Sequence, residues 1–162
     1  MKSALSVLAL GFLASGLAPR PAVAATASTS FGITATVQGT CLVSASDLTF
    51  GLYAGAAVNA TSSISVTCSD RTPYSVGLSA GLAPGATVAT RKMTGSGSAV
   101  LGYALASNSY GTVNWGQTVG ADTVAGTGNG SAQTLSVYGR ILAGQPLASG
   151  AYADTITVAI TY

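Results

Sequence analysis

Apolar and polar residues alternate with period two along most of this chain, and no long stretch shows the period of a helix. Alternation sends successive side chains to opposite faces, so it marks half-buried β-strands. The clearest case is Ile156-Thr-Val158-Ala-Ile160-Thr-Tyr162, which alternates up to the last residue. Phe31-Gly-Ile33-Thr-Ala35-Thr-Val37, within a run from Ser30 to Gln38, repeats the pattern near the other end. Between them the pattern predicts strands at Cys41–Val43, Leu48–Phe50, Thr61–Cys68, Tyr74–Leu78, Val88–Met93, Val100–Leu105 and Thr134–Ile141, then a closing strand from Tyr152 to Tyr162. Turn residues punctuate these runs, as at Asp70-Arg71-Thr72-Pro73, Pro84-Gly85 and Ser149-Gly150. Ser107–Ser131 reads as one loop anchored by Trp115. Short strands at this spacing predict an all-β sandwich with two inner faces.

The two outermost strands carry the functional reading. A closing strand with nothing after it must find its second neighbour elsewhere, and the run from Phe31 to Val37 has the pattern of a strand to spare. Together they suggest a domain short of one strand and a chain that supplies one, which points to self-assembly. The competing reading makes Phe31–Val37 the ordinary first strand of a complete domain and Ile156–Tyr162 an ordinary core strand paired on both sides.

Residues 1–24 read as an export signal. Lys2 gives the positive start, Ala4–Leu17 the apolar stretch, and Ala22-Val23-Ala24 a small-x-small cleavage site that makes Ala25 the first mature residue. The apolar stretch is short for a membrane span, so none is expected after cleavage. Removing the signal changes the charge. The formal +2 of the whole chain comes from Lys2 and Arg20. Beyond it, Arg71, Arg91, Lys92 and Arg140 balance Asp47, Asp70, Asp122 and Asp154. That leaves no basic footprint for nucleic acid; Arg91-Lys92 reads as a solvated strand end. So little charge is unusual on a freely soluble monomer and suits a surface covered by other copies.

Export would carry Cys41 and Cys68 into an oxidising compartment, so a single disulfide is expected. A metal or redox pair is disfavoured by the absence of His, Glu and a C-x-x-C spacing, and no cofactor is implied. Catalysis is equally hard to build. The remaining bases are four Asp and Lys92, and all four Asp lie in turn-like or strand-edge sequence. No catalytic residue is assigned and the chain is not expected to be an enzyme. Trp115, Tyr53 and Tyr110 could form a sugar-binding patch, but core or turn packing suits them better.

In chain order, an alternating strand leads into Cys41. Leu48-Thr-Phe50-Gly51 and Ile64-Ser-Val66-Thr-Cys68 follow, then Tyr74-Ser-Val76, Arg91-Lys-Met93 and Leu101-Gly-Tyr103. Trp115-Gly116, Val137-Tyr138-Gly139 and Gly150-Ala-Tyr152-Ala-Asp154-Thr155 complete the series. This order resembles the spore coat protein U domain family, which includes the subunits of archaic chaperone–usher pili, and the resemblance covers residues 25–162.

The resemblance implies an incomplete immunoglobulin-like β-sandwich completed by a donor strand. It divides the chain into a signal peptide at 1–24, a donor-strand extension at 25–40 and a domain at 41–162. A periplasmic chaperone would lend a strand first, and the extension of another subunit would replace it by strand addition, with an outer-membrane usher on the route. The implied donor residues are Phe31, Ile33, Ala35 and Val37. The implied acceptor strand carries Ile156, Val158, Ile160 and Tyr162, opposite the first strand near Cys41. The expected function is a pilin subunit that passes through the periplasm to a cell-surface fibre serving adhesion or biofilm formation. The alternatives are a secreted coat-type structural protein and a surface- or carbohydrate-binding module.

Overall fold

The computed structural model describes residues 21–146 and 148–162. The apolar stretch Ala4–Leu17, with Lys2 and Arg20, lies outside the described residues. The chain divides into two units, residues 1–36 and residues 37–162. In the first, residues 21–36 form no strand and are exposed throughout, with Phe31 and Ile33 each 83% exposed.

The second unit is a sandwich of eight strands: β1 (Cys41–Ala45), β2 (Val58–Cys68), β3 (Pro73–Leu78), β4 (Arg91–Thr94), β5 (Val100–Ala106), β6 (Val124–Thr127), β7 (Ala132–Ile141) and β8 (Val158–Thr161). One sheet has the order β1-β2-β7-β5-β4 and the other β6-β3-β8, with every pairing antiparallel. Alternation accounts for the core between them. Ile64, Val66 and Cys68 of β2 and Val137 and Ile141 of β7 face Val76 and Leu78 of β3. Sheets stacked face to face exclude water from such inner faces.

Two strand-patterned segments form no strand and one is shortened. Leu48–Phe50 keeps its alternation, with Leu48 and Phe50 packed on the core, but makes no ladder. Of the closing run from Tyr152, only Val158–Thr161 is a strand, while Ala153 makes an isolated bridge to Thr94. Ser30–Val37 forms no strand. Two further differences are local. Val88 sits in a Thr87–Thr90 turn, so β4 begins only at Arg91. The predicted loop Ser107–Ser131 contains β6, whose Gly126 admits the Tyr74 ring where any Cβ would collide with it.

Arg91 corrects the reading of a solvated strand end. It is 1% exposed. Its guanidinium donates to the carbonyls of Ser79 (2.8 Å), Val88 (2.8 Å), Leu78 (2.9 Å) and Trp115 (2.6 Å). Burial lowers its pKa, partly offset by the fields of Tyr103, Asp122 and Asp154. A buried cation is tolerable when oxygen acceptors replace water, and here four carbonyls do so.

Candidate functional site

The edges of the two sheets define the site. Cys41–Ala45 pairs only with β2, and Val158–Thr161 pairs only with β3. β2 descends to Cys68, the chain turns through Ser69–Thr72, and β3 ascends from Pro73. Because β1 is antiparallel to β2 and β8 to β3, β1 ascends and β8 descends. The two free edges therefore run in opposite directions. Near this base they approach each other. Above it they part.

The gap is a cleft of about 1130 Å³. One wall is Ala45–Gly55, the continuation of β1, and the other is Ala148–Val158 (Thr157 excepted), the approach to β8. Its floor is the apolar core itself: Ile64, Leu101, Leu105, Val137 and Ile141 from one sheet and Leu78 from the other. Both walls carry strand alternation and both lack a ladder on the cleft side. An extended segment with unpaired N–H and C=O groups beside an apolar floor is a template for another strand.

Local contacts hold each wall. Ser46 N donates to Ser63 O (3.0 Å), carrying the β1–β2 pairing one step further. Leu48 and Phe50 reach the floor because β7 has Gly139 beneath them; a Cβ there would stand 2.8 Å from Phe50 and 2.9 Å from Leu48. Phe50 also meets the Tyr103 ring edge-on at 6.1 Å. The opposite wall is tied by Thr94 N to Ala153 O (2.8 Å) and by Ser79 N to Thr157 O (3.0 Å). Asp154 accepts from Tyr103 OH (2.7 Å), Leu82 N (2.8 Å) and Thr155 N (2.8 Å). Burial, this hydrogen bond and the Asp154 charge raise the Tyr103 pKa.

The sequence-derived acceptor residues divide along this edge. Ile156, Val158 and Ile160 share the half-buried inner side, while Tyr162 is 60% exposed. The cleft takes in Ile156 and Val158 but not Ile160 or Tyr162. Opposite them it is bounded by Ala45–Gly55, beyond the end of β1, rather than by Cys41. The alternation of Leu48 and Phe50 was a signal for this wall. No signal marked the Tyr103–Asp154 pair. Phe31, Ile33, Ala35 and Val37 are all exposed, Val37 to 94%.

Cys41 and Cys68 are directly paired in the β1–β2 register and form a disulfide, with Cα atoms 4.1 Å apart. Trp115 is 1% exposed and donates from its indole to Val76 O (2.8 Å). Tyr53 is tied through its hydroxyl to Leu142 O and Gln145 N, and Tyr110 stands alone at 82% exposed. No aromatic sugar platform results from these three. Among the described residues, no cluster of metal-ligating side chains occurs and no helix is long and apolar enough to cross a membrane.

The Spore Coat Protein U domain model matches residues 27–159. Protein U of Myxococcus xanthus is 33% identical over 174 residues, covering 97% of each chain. A solved structure of the CsuC–CsuE chaperone–tip adhesion subunit pre-assembly complex, from the archaic chaperone–usher Csu pili of Acinetobacter baumannii, matches with a TM-score of 0.59 at 26% identity. That match covers 78% of this chain but only 41% of the other, so this chain spans less than half of its length. With its two-sheet all-β sandwich and a family match running from residue 27 to residue 159, the chain belongs to the Spore Coat Protein U domain family, whose members are structural proteins rather than enzymes.

Proposed function

We propose that this chain is a pilin-type subunit completed by a strand from another molecule. The observation that carries the reading is the cleft, whose two walls have the sequence of strands and the hydrogen bonding of loops. A strand laid between Ala45–Gly55 and Ala148–Val158 would give both walls a ladder and cover the apolar floor. We assign the donor to Ser30–Gln38, whose Phe31, Ile33, Ala35 and Val37 would face inward. Burying the three larger side chains would contribute roughly 5–8 kcal/mol before the cost of ordering the segment.

The opposed walls restrict how the strand enters. Any occupant is antiparallel to one wall and parallel to the other. The chain's own donor segment joins β1 at the base through Gly39 and Thr40, a tether of roughly 10 Å. It could therefore enter only antiparallel to β1. A segment from a second copy has no such tether and can enter in either sense, so exchange between copies has the wider choice of register.

In this reading residues 1–24 direct export and residues 25–40 form the donor extension of the domain at 41–162. A periplasmic chaperone shields the cleft, an outer-membrane usher exchanges its strand for another subunit's, and the product is a surface fibre serving adhesion or biofilm formation. The relation to a chaperone–subunit complex supports the chaperone step. A second reading, a secreted coat-type protein using the same strand addition without an usher, is favoured by the end-to-end match with Protein U. The test compares the exported chain with one lacking residues 25–38, on denaturant-resistant gels and by size exclusion. Resistant ladders from the first, and an unstable second chain rescued by a Ser30–Gln38 peptide, are expected. Two stable monomers would reject strand exchange.

A further inference from the structure

Along the wall that leads into β8, alternation puts Tyr152, Asp154, Ile156, Val158 and Ile160 on the inner side. Asp154 is the one charged residue in that stripe. A carboxylate facing an apolar floor is costly unless donors replace its water. Three do so: Tyr103 OH, Leu82 N and Thr155 N. The surroundings are shaped for it. Gly81 adopts φ +91°, and a Cβ at that position would collide with the carboxylate. Tyr103 belongs to β5 of the five-stranded sheet, whereas Asp154 leads into β8 of the three-stranded one. The hydrogen bond therefore crosses from a wall of the cleft to its floor.

The wall needs such a tie. Between Ala151 and Thr157 its backbone bonds run to Thr94 of β4 and to Ser79, and none crosses to the Ala45–Gly55 wall. Ile156 already packs against the core, and residues 154–156 make no backbone–backbone hydrogen bond of their own among the described residues, so the pull of the apolar floor on this stretch is met by side chains. A tyrosine ring standing between the sheets, its hydroxyl locked to a carboxylate, sets a fixed spacing there.

We propose that Asp154 and Tyr103 form a strut that holds the empty cleft open, so that an incoming strand meets a prepared slot. Asp154 is thus a positioning residue for strand uptake. The proposal rests on the strand-addition reading and adds to it what governs the rate. A preorganised slot speeds capture, since the cost of opening has been met in advance. Once a strand lies between the walls its ladders hold them apart, and the strut no longer matters. The strut therefore acts on association and leaves dissociation alone.

The experiment measures uptake of a fluorescent Ser30–Gln38 peptide by the full exported chain, kept dilute to limit self-assembly. Asp154→Ala is expected to slow association about tenfold, the scale of one lost charge-assisted hydrogen bond, with dissociation unchanged. Tyr103→Phe keeps the ring and should fall between Asp154→Ala and the native chain. Asp154→Asn retains a carbonyl acceptor and should restore most of the rate. Equal association for the native chain and both weakening variants overturns the strut. So does a change confined to dissociation, or equal loss of stability in empty and filled states, which would make Asp154 an ordinary packing residue. If the native chain takes up no peptide, strand addition fails and the strut with it. An unstable Asp154→Ala chain leaves Tyr103→Phe to decide.

Discussion

The β2–β7 pair and the two cleft walls are written in the same alternating pattern, yet one is a ladder and the other is not. From Val58↔Ile141 to Thr67↔Ala132 the pair is in continuous antiparallel register, and each strand has a further neighbour, β1 beside β2 and β5 beside β7. The walls present Leu48 and Phe50 on one side and Tyr152, Ile156 and Val158 on the other with equal regularity. Alternation decides which face a residue presents. A ladder also requires a neighbour at the right distance, and the walls have none on the cleft side. The contrast separates what a strand owes to its own sequence from what it owes to its partners.

Four variants break or sharpen that contrast. The largest effect is expected in the laddered body. Arg91→Ala would strand four carbonyls around a void and lower unfolding free energy by roughly 3–5 kcal/mol, measured by denaturant titration. The loss should be the same with or without added donor peptide, because Arg91 does not line the cleft. Replacing both Cys41 and Cys68 with serine should cost about 3 kcal/mol by the same titration, and reductant should reproduce the effect in the native chain.

A smaller change should fall on a wall. Gly139→Ala drives a methyl group into Leu48 and Phe50, costing about 1–2 kcal/mol and displacing the Ala45–Gly55 side. Hydrogen exchange should show that displacement at residues 46–50 while β2 stays protected. The smallest effect is alkaline. Tyr103 has a folded-state pKa above the ordinary 10.0, so its contribution is complete below that value. It is lost as pH rises further, because the unfolded chain ionises first. Tyr103→Phe should flatten this alkaline fall in melting temperature.

How much of this was legible depends on what each feature rests upon. β2, β3, β5 and β7 were readable because long runs of Val, Ile, Leu and Tyr alternate there, and the structure moves their ends by no more than three residues. β6 was hidden because Val-Ala-Gly-Thr offers little apolar bulk, and its glycine is required by a ring from another strand. The burial of Arg91 was hidden for a related reason. Its acceptors are backbone oxygens from Leu78, Ser79, Val88 and Trp115, which no side-chain pattern reveals. Leu48–Phe50 and Ser30–Val37 read as strands and form none, and the closing run from Tyr152 to Tyr162 is a strand only at Val158–Thr161. The free edge of β8 was visible as a pattern, whereas the cleft beside Ala45–Gly55 required the fold to bring distant segments together.

The disulfide joins the first residue of β1 to the last residue of β2. In the proposed fibre, with subunits linked through their N-terminal segments, tension would enter each domain at Thr40. A five-residue edge strand held by hydrogen bonds alone would peel away one bond at a time, like a zip. The covalent link at Cys41 passes the load past that strand to β2, where an extended register shares it with β7 in shear. Cys41–Cys68 would then be a rivet at the point of traction, and reducing it should lower the force at which a single domain ruptures.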